Sequence, residues 1–210
     1  DDIRPLRAIA KIAACDAAVT GPISGVARLN ERPSCEGVNL VDIAVRVRGL
    51  SDGKHAVHIH AVGECSPCAM AGGHFDPGPS GNVSPDGNHP FHSGDLINID
   101  VRKGYGVLRT TTSRITLSPG PLSVFDVDRS AFIIHAQPDT YCPGGEVTGC
   151  AGGARAACGK IELVDDDSDQ PLFEAGPTTL SPDAAASVLT ARATGSPDAV
   201  LEPARLAVWT

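Results

Sequence analysis

The chain has 210 residues, a net charge of −8, 41% apolar and 20% charged residues, and only 4% aromatics. That length suits one large all-β domain, or one domain with an appendage. The acidic balance argues against a nucleic-acid binder, which needs a basic stripe to neutralise phosphates, and no apolar run approaches the roughly 18 residues that span a bilayer. The first residue is Asp1 rather than Met, which reads as a processed form, a removed export signal being one explanation.

Strand-like segments follow one another along the chain with turn signals between them. They are ISGVARLNE (23–31), VDIAVRVRGL (41–50), KHAVHIHAV (54–62), INIDV (97–101), GVLRTTT (106–112), SRITL (113–117), SAFIIHA (130–136) and GKIELV (159–164). The clearest is 41–50, where Val41, Ile43, Val45 and Val47 share one face while Asp42, Arg46 and Arg48 share the other, a period of two. No segment before residue 180 has helical periodicity. Many short strands separated by Gly and Pro predict an antiparallel sandwich or barrel. Two long segments, Gly63–Gly94 and Ala136–Cys158, break the strand rhythm; both carry cysteines and potential ligands, and long loops of this kind are usually functional or disordered.

After Val164 the composition changes. DDDSDQ (165–170) reads as an acidic linker, and an Ala/Pro/Ser/Thr-rich extension follows to residue 210. SPDA occurs at 181 and again at 196, placing residues that suit a helix N-cap and first turn; two short helices or a loosely ordered tail both fit. The predicted domains are therefore 1–164 and 165–210.

Seven cysteines, at 15, 35, 65, 68, 142, 150 and 158, are many for a cytosolic protein. Cys65 and Cys68 form a C-x-x-C with no second pair at structural-zinc spacing, so disulfides in an oxidising compartment are the favoured reading. The odd count leaves at least one thiol unpaired or bonded between chains.

The stretch HAVHIHAVGEC (55–65) concentrates three of the seven histidines. On a strand, His58 and His60 share a face with Cα atoms roughly 6.5 to 7 Å apart, close enough to converge on one metal ion, while His55 faces away. Alone, an H-x-H is weak and fits an ordinary polar strand face. The others strengthen it: His74 in GGHFDP, His89 and His92 in NHPFHSGDL with Asp95 three residues on, and His135 ending an apolar strand, where an unpartnered imidazole is costly to desolvate. Imidazoles suit copper and zinc, and a carboxylate completes a tetrahedral zinc set.

Six motifs in order, GPISGVARL, GLSDGKHAVHIHAVG, GGHFDP, HSGDL, IIHAQPD and GGARAACGKI, resemble those of the copper/zinc superoxide dismutase family over about residues 10–164. The resemblance implies an eight-stranded antiparallel Greek-key β-barrel whose two long loops wall the active site. It implies copper on His58, His60, His74 and His135, with His74 also binding zinc. His92 and Asp95 are implied as zinc ligands, Arg155 as the residue that receives superoxide, Asp139 as a carboxylate orienting histidines of both metals, and His55 as a structural support. Cys65 stands where bacterial-type members carry a disulfide cysteine, with Cys158 as its partner. Dimers are common in the family, through surfaces that differ between branches. An extracytoplasmic location (periplasmic, secreted or cell-surface) goes with this type.

Three departures qualify the pattern. The family's zinc histidine eight residues after the bridging one is Asn82 here, and His89 is read as its displaced substitute, against a weakened zinc site with His89 exposed. The loop QPDTYCPGGEVTGC carries Asp139 and Glu146 but no lysine to guide an anion inward, which predicts a rate below the diffusional ceiling and weak salt dependence. Cys15 is expected as a buried free thiol; Cys142 could bridge Cys150 or Cys68. The expected function is disproportionation of superoxide to O2 and hydrogen peroxide. The main alternative is a copper-binding or storage protein on the same scaffold without dismutase activity, which leaves the placement of Arg155 unexplained. A zinc hydrolase needs an open zinc position that the expected ligand set lacks.

Overall fold

The structure is a computed structural model and describes residues 5–78, 92–141 and 149–164. His89, Asn82, Cys142 and the extension from 165 lie outside the described residues. Among the described residues there are nine strands: β1 (Arg7–Ala14), β2 (Ser24–Pro33), β3 (Asn39–Arg48), β4 (Gly53–His55), β5 (Val57–His60), β6 (Ile99–Arg102), β7 (Tyr105–Thr112), β8 (Ala131–His135) and β9 (Arg155–Leu163). All pairings between them are antiparallel, in the order β4-β6-β7-β3-β2-β1-β9-β8-β5.

The two ends of that order, β4 and β5, are adjacent in sequence, separated only by Ala56. They form one bent strand. Its first half pairs with β6, and its second half with β8. Ala56 makes the switch: its N–H donates to Gln137 O and its carbonyl accepts from His135 N–H, each at 2.9 Å. Counted this way there are the eight strands expected of a Greek-key barrel, nearly closed, and closure removes the exposed edges that an open sheet must protect.

The alternation read from the sequence holds in β3, where Val41, Ile43, Val45 and Val47 are buried in the barrel core. Two elements differ from expectation. Strand β1 was not among the predicted segments, because its inward residues Ala8 and Ala10 are small and give little contrast with their neighbours. The SRITL segment is not a strand. Ile115 and Leu117 are buried as a strand would bury them, but the buried Glu31 carboxylate accepts the Leu117 and Ser118 N–H groups, which therefore need no sheet partner. A single helical turn, Ala17–Thr20, is capped by the Asp16 side chain, which accepts from Ala18 N–H at 3.0 Å.

Cys65 and Cys158 are disulfide-bonded, as the resemblance implied. With the partners 93 positions apart in sequence, the chain-entropy model gives about 4 to 5 kcal/mol of stabilisation. Cys15, expected as a free thiol, instead bonds to Cys68. The Cα atoms of that pair stand 5.5 Å apart, because the end of β1 runs beside the turn that carries Cys68. Cys150 is also disulfide-bonded, and Cys35 is an exposed free thiol. Among the described residues no helix is long and apolar enough to cross a membrane.

Candidate metal centre

Strands β5 and β8 have two buried faces. Val57, Ile59, Phe132 and Ile134 enter the barrel core. His58 and His60 take the opposite side, outside the barrel wall, where the loops cover them so well that their exposures are 0% and 1%. The loops are fastened there by backbone pairing. His74 lies opposite His60, and Asp95 opposite His58, in isolated bridges. Ile59 N–H donates to Gly94 O, Gly94 N–H to Phe75 O, and Phe75 N–H to Ile59 O. Gly94 is required at this junction, since a Cβ there would stand 2.2 Å from Ile59 O.

On this scaffold His58, His60, His74 and His135 bring one ligand nitrogen each to within 4.8 Å of one another. A second group, His74, His92 and Asp95, meets the same criterion, so His74 belongs to both. The sequence-predicted copper set is thus brought together complete, and the zinc set apart from His89. Neighbouring ring centroids are 4.1 Å apart for His58 and His74, and 5.1 Å for His74 and His92.

Each ring is held by its far nitrogen. His58 Nε2 donates to Asp139 Oδ2 at 2.8 Å, His60 Nδ1 to Gly72 O at 2.9 Å, and His135 Nδ1 to Gly153 O at 2.9 Å. His74 Nδ1 donates to Asp95 Oδ1 at 2.7 Å. Carbonyl and carboxylate oxygens only accept, so the protons of His58, His60 and His135 are fixed on the nitrogens that face them. The other nitrogens of His58 (Nδ1), His60 (Nε2) and His135 (Nε2) are buried with no hydrogen-bond partner. Three orphaned imidazole lone pairs converging in one buried place are costly as they stand, and they fit a borderline metal such as copper. The donor set around Asp95, imidazole and carboxylate, fits zinc.

Electrostatics keeps these donors ready. Burial pushes His60 down to about 2 and His135 down to about 4, below the usual imidazole value, so both are neutral at ordinary pH. Burial also lowers His58, against the Asp139 carboxylate, which raises it. Burial alone would raise Asp95, but the hydrogen bonds from His74 and His92 outweigh it and hold the carboxylate well below its usual range. Asp139 is lowered in the same way, burial opposing and the hydrogen bonds from His58 and Tyr141 N–H prevailing.

Arg155 reaches this side of the wall through a bulge. Ile134 pairs with Ala157, but His135 pairs with Arg155, so Ala156 is the extra residue on β9. Alternation counted back from the buried Ile161 and Ala157 would aim Arg155 into the core; the bulge reverses its parity and sets it beside His135, while Ala156 and Ala157 both enter the core. The guanidinium is half-buried and donates to two carbonyls, Cys68 O at 2.6 Å and Gly72 O. Neither is an anion, so these contacts leave its charge uncompensated. Burial lowers its pKa from the ordinary value, and a guanidinium stays charged in proteins.

The remaining predicted residues support the site. His55 is buried on the bent strand, its Nδ1 2.8 Å from His135 O and its Nε2 2.9 Å from Ser51 O, so it ties β4 to the end of β8. Asp139 holds His58 and is itself fixed by Asn98, whose Oδ1 accepts Asp139 N–H at 2.8 Å. Sequence reasoning missed three contributors. Arg114 donates to His92 O at 3.1 Å and to Asp95 O, bracing both ends of that loop turn. The Gly72 and Gly153 carbonyls orient the ligand rings, and only the glycine-rich flanks of His74 and Arg155 hinted at tight backbone there. A Cβ on Gly152, which has φ +94°, would meet Ala56 Cβ and His135 Cβ at 2.6 Å each.

A nearly closed antiparallel barrel with two adjoining histidine-rich metal-binding groups on its outer wall defines a two-site metalloprotein. Residues 23–161 match the family model for copper/zinc superoxide dismutase. The chain is 34% identical to superoxide dismutase [Cu-Zn] A of Xenopus laevis over 154 residues, covering 71% of this chain and 95% of the relative. It is 35% identical to superoxide dismutase [Cu-Zn] of Deinococcus radiodurans over 162 residues, covering 69% and 80%. The chain belongs to the copper/zinc superoxide dismutase family. It is accordingly an oxidoreductase whose cofactors are copper and zinc.

Proposed function

We propose that the protein dismutates superoxide at a copper ion held by His58 Nδ1, His60 Nε2, His135 Nε2 and His74. Zinc would be held by His74, His92 and Asp95, with His89 as the fourth ligand. The observation that carries this reading is the trio of buried, unpartnered imidazole nitrogens that converge beside His74, the residue common to both groups. Bound there, copper would supply one-electron redox chemistry and zinc fixed charge; the net reaction takes two superoxides and two protons to O2 and hydrogen peroxide.

The chain's own residues do the rest. Asp139, Gly72 and Gly153 keep the ring protons on the far nitrogens and the lone pairs turned inward. His74 presents Nδ1 to Asp95, which leaves Nε2 to face the first group and to carry a proton toward the departing product. Arg155 offers an uncompensated positive charge at the mouth of the site and docks the anion. A storage protein has no use for that charge, which is why the dismutase reading is preferred to copper storage.

The disulfides favour an extracytoplasmic setting, in the periplasm, outside the cell or at its surface. The family's habit of dimerisation extends to this chain as a working expectation, and residues 165–210 are taken as a separate extension beyond the barrel domain. Superoxide consumption by the metal-loaded protein, measured beside Arg155→Ala, tests the function. Rapid consumption that falls in the variant is expected; copper binding with no consumption in either form would favour storage.

A further inference from the structure

The second disulfide does more than staple the fold. Cys68 opens a short 3-10 turn, Cys68–Ala71, that ends at Gly72. The two carbonyls that grip the Arg155 guanidinium, Cys68 O and Gly72 O, are those at the two ends of this turn. Gly72 O also accepts from His60 Nδ1. One five-residue stretch therefore aims both the cation and a ligand ring, and anything that fixes the turn fixes Arg155.

Two disulfides approach it. Cys65–Cys158 joins β9 to the chain three residues upstream of the turn. Cys15–Cys68 holds the carbonyl-bearing residue itself. Its other end is tied to the strand that carries Arg155, because Cys15 N–H donates to Ala156 O at 2.9 Å. A closed circuit results: from Arg155 along the backbone to Ala156 O, across to Cys15, through the disulfide to Cys68, and from Cys68 O back to the guanidinium. Four cysteines pack as one cluster around this circuit, with Ala71, Ala131 and Ile133. We propose that Cys15 and Cys68 are positioning residues for Arg155, their disulfide holding the guanidinium where an incoming anion meets it. The Cys65–Cys158 bond cannot replace this, because Ser66 and Pro67 intervene between Cys65 and the turn.

The effect on anion docking rests on the reading of Arg155 given above; the hold on its side chain does not, and the experiment separates them. In the full chain, Cys15→Ser with Cys68→Ser removes the bond without leaving a lone thiol. Phenylglyoxal labelling of Arg155, followed by peptide mass spectrometry, reads the hold directly. Azide titration of the copper absorption band reads docking, with Arg155→Ala as reference. The double variant is expected to label Arg155 about 10-fold faster and to bind azide about 10-fold more weakly, since small displacements of a charged group cost that much. Its copper stoichiometry is expected to stay as in the wild type, because His58, His60 and His135 stand on β5 and β8, while the azide-free copper band shifts slightly, because the His60 ring shares Gly72 O with the guanidinium. If the serine pair does not fold, Cys15→Ala with Cys68→Ala, which keeps the buried cysteine cluster apolar, gives the same comparison with Cys65–Cys158 intact. Unchanged labelling of Arg155 in protein lacking the bond overturns the proposal. Unchanged azide affinity in Arg155→Ala instead removes Arg155 from docking and leaves the labelling result to decide the positioning role.

Discussion

Residues 59 and 60 are neighbours on one strand, and they belong to two different chemistries. Ile59 points into the barrel core, where packing is apolar and side chains are interchangeable within limits of volume. His60 points to the outer wall, where it is equally buried but is held by one oriented hydrogen bond from Nδ1 to Gly72 O. The inner face uses burial to make the strand exist; the outer face uses the finished strand as a rigid base for rings whose orientation is set by loop carbonyls and carboxylates. The comparison shows that the metal centre does not form from the strands alone. The strands supply positions, and the loops supply directions.

The sharpest way to break this contrast is to truncate each neighbour in turn. His60→Ala should abolish copper retention and lower superoxide consumption by at least about 10³-fold, with only a modest change in the melting temperature of the metal-free protein. Ile59→Ala should do the opposite, costing about 2 to 5 kcal/mol in denaturant unfolding while the fraction that folds still takes up copper. A metal-free His60→Ala protein destabilised as much as Ile59→Ala would erase the distinction between the two faces.

Next in size is Arg155→Ala, expected to reduce kcat/KM by about 10- to 100-fold with copper stoichiometry unchanged, since it removes charge at the docking point and no ligand. Asp139→Asn should weaken copper binding by about 10- to 100-fold in a chelator competition, because Asp139 directs the His58 ring.

The pH dependence of the metal-free protein sharpens the same point. His60 and His135 lie at about 2 and about 4 in the folded chain, below the ordinary value of 6.5. The unfolded chain therefore binds more protons as pH falls below 6.5, so stability is full above that pH and declines on acidification. A loss of roughly 4 kcal/mol between pH 7 and 5 is expected from denaturant melts, and copper loading should raise stability without removing this slope, since both folded forms keep the two rings unprotonated. The smallest effect concerns guidance of the substrate. The second loop offers no lysine, so kcat/KM should change by less than about threefold between about 0.01 and about 0.15 M salt.

Much of the inner face was legible in the sequence. Alternation in 41–50 identified a strand correctly because Val, Ile and charged residues contrast at every step. It failed for β1, where alanines blur the pattern, and for 113–117, where the pattern was real but Glu31 took the backbone groups that a neighbouring strand would have paired. The outer wall was legible only as a list of residue types. Two histidines two positions apart announced a shared face, and six ordered motifs supplied the roles. Periodicity would have aimed Arg155 wrongly, since a bulge at Ala156 leaves no mark in composition. The Cys15–Cys68 pairing joins residues 53 apart, and nothing in the cysteine count distinguishes it from its rivals.

The account turns on histidine nitrogens set in advance to hold copper that turns superoxide over. Superoxide decay per bound copper, measured on the protein loaded with one copper and one zinc per chain, tests this most directly. Catalytic decay that disappears on selective removal of copper is the result expected; tight copper binding with decay no faster than the spontaneous reaction would contradict it.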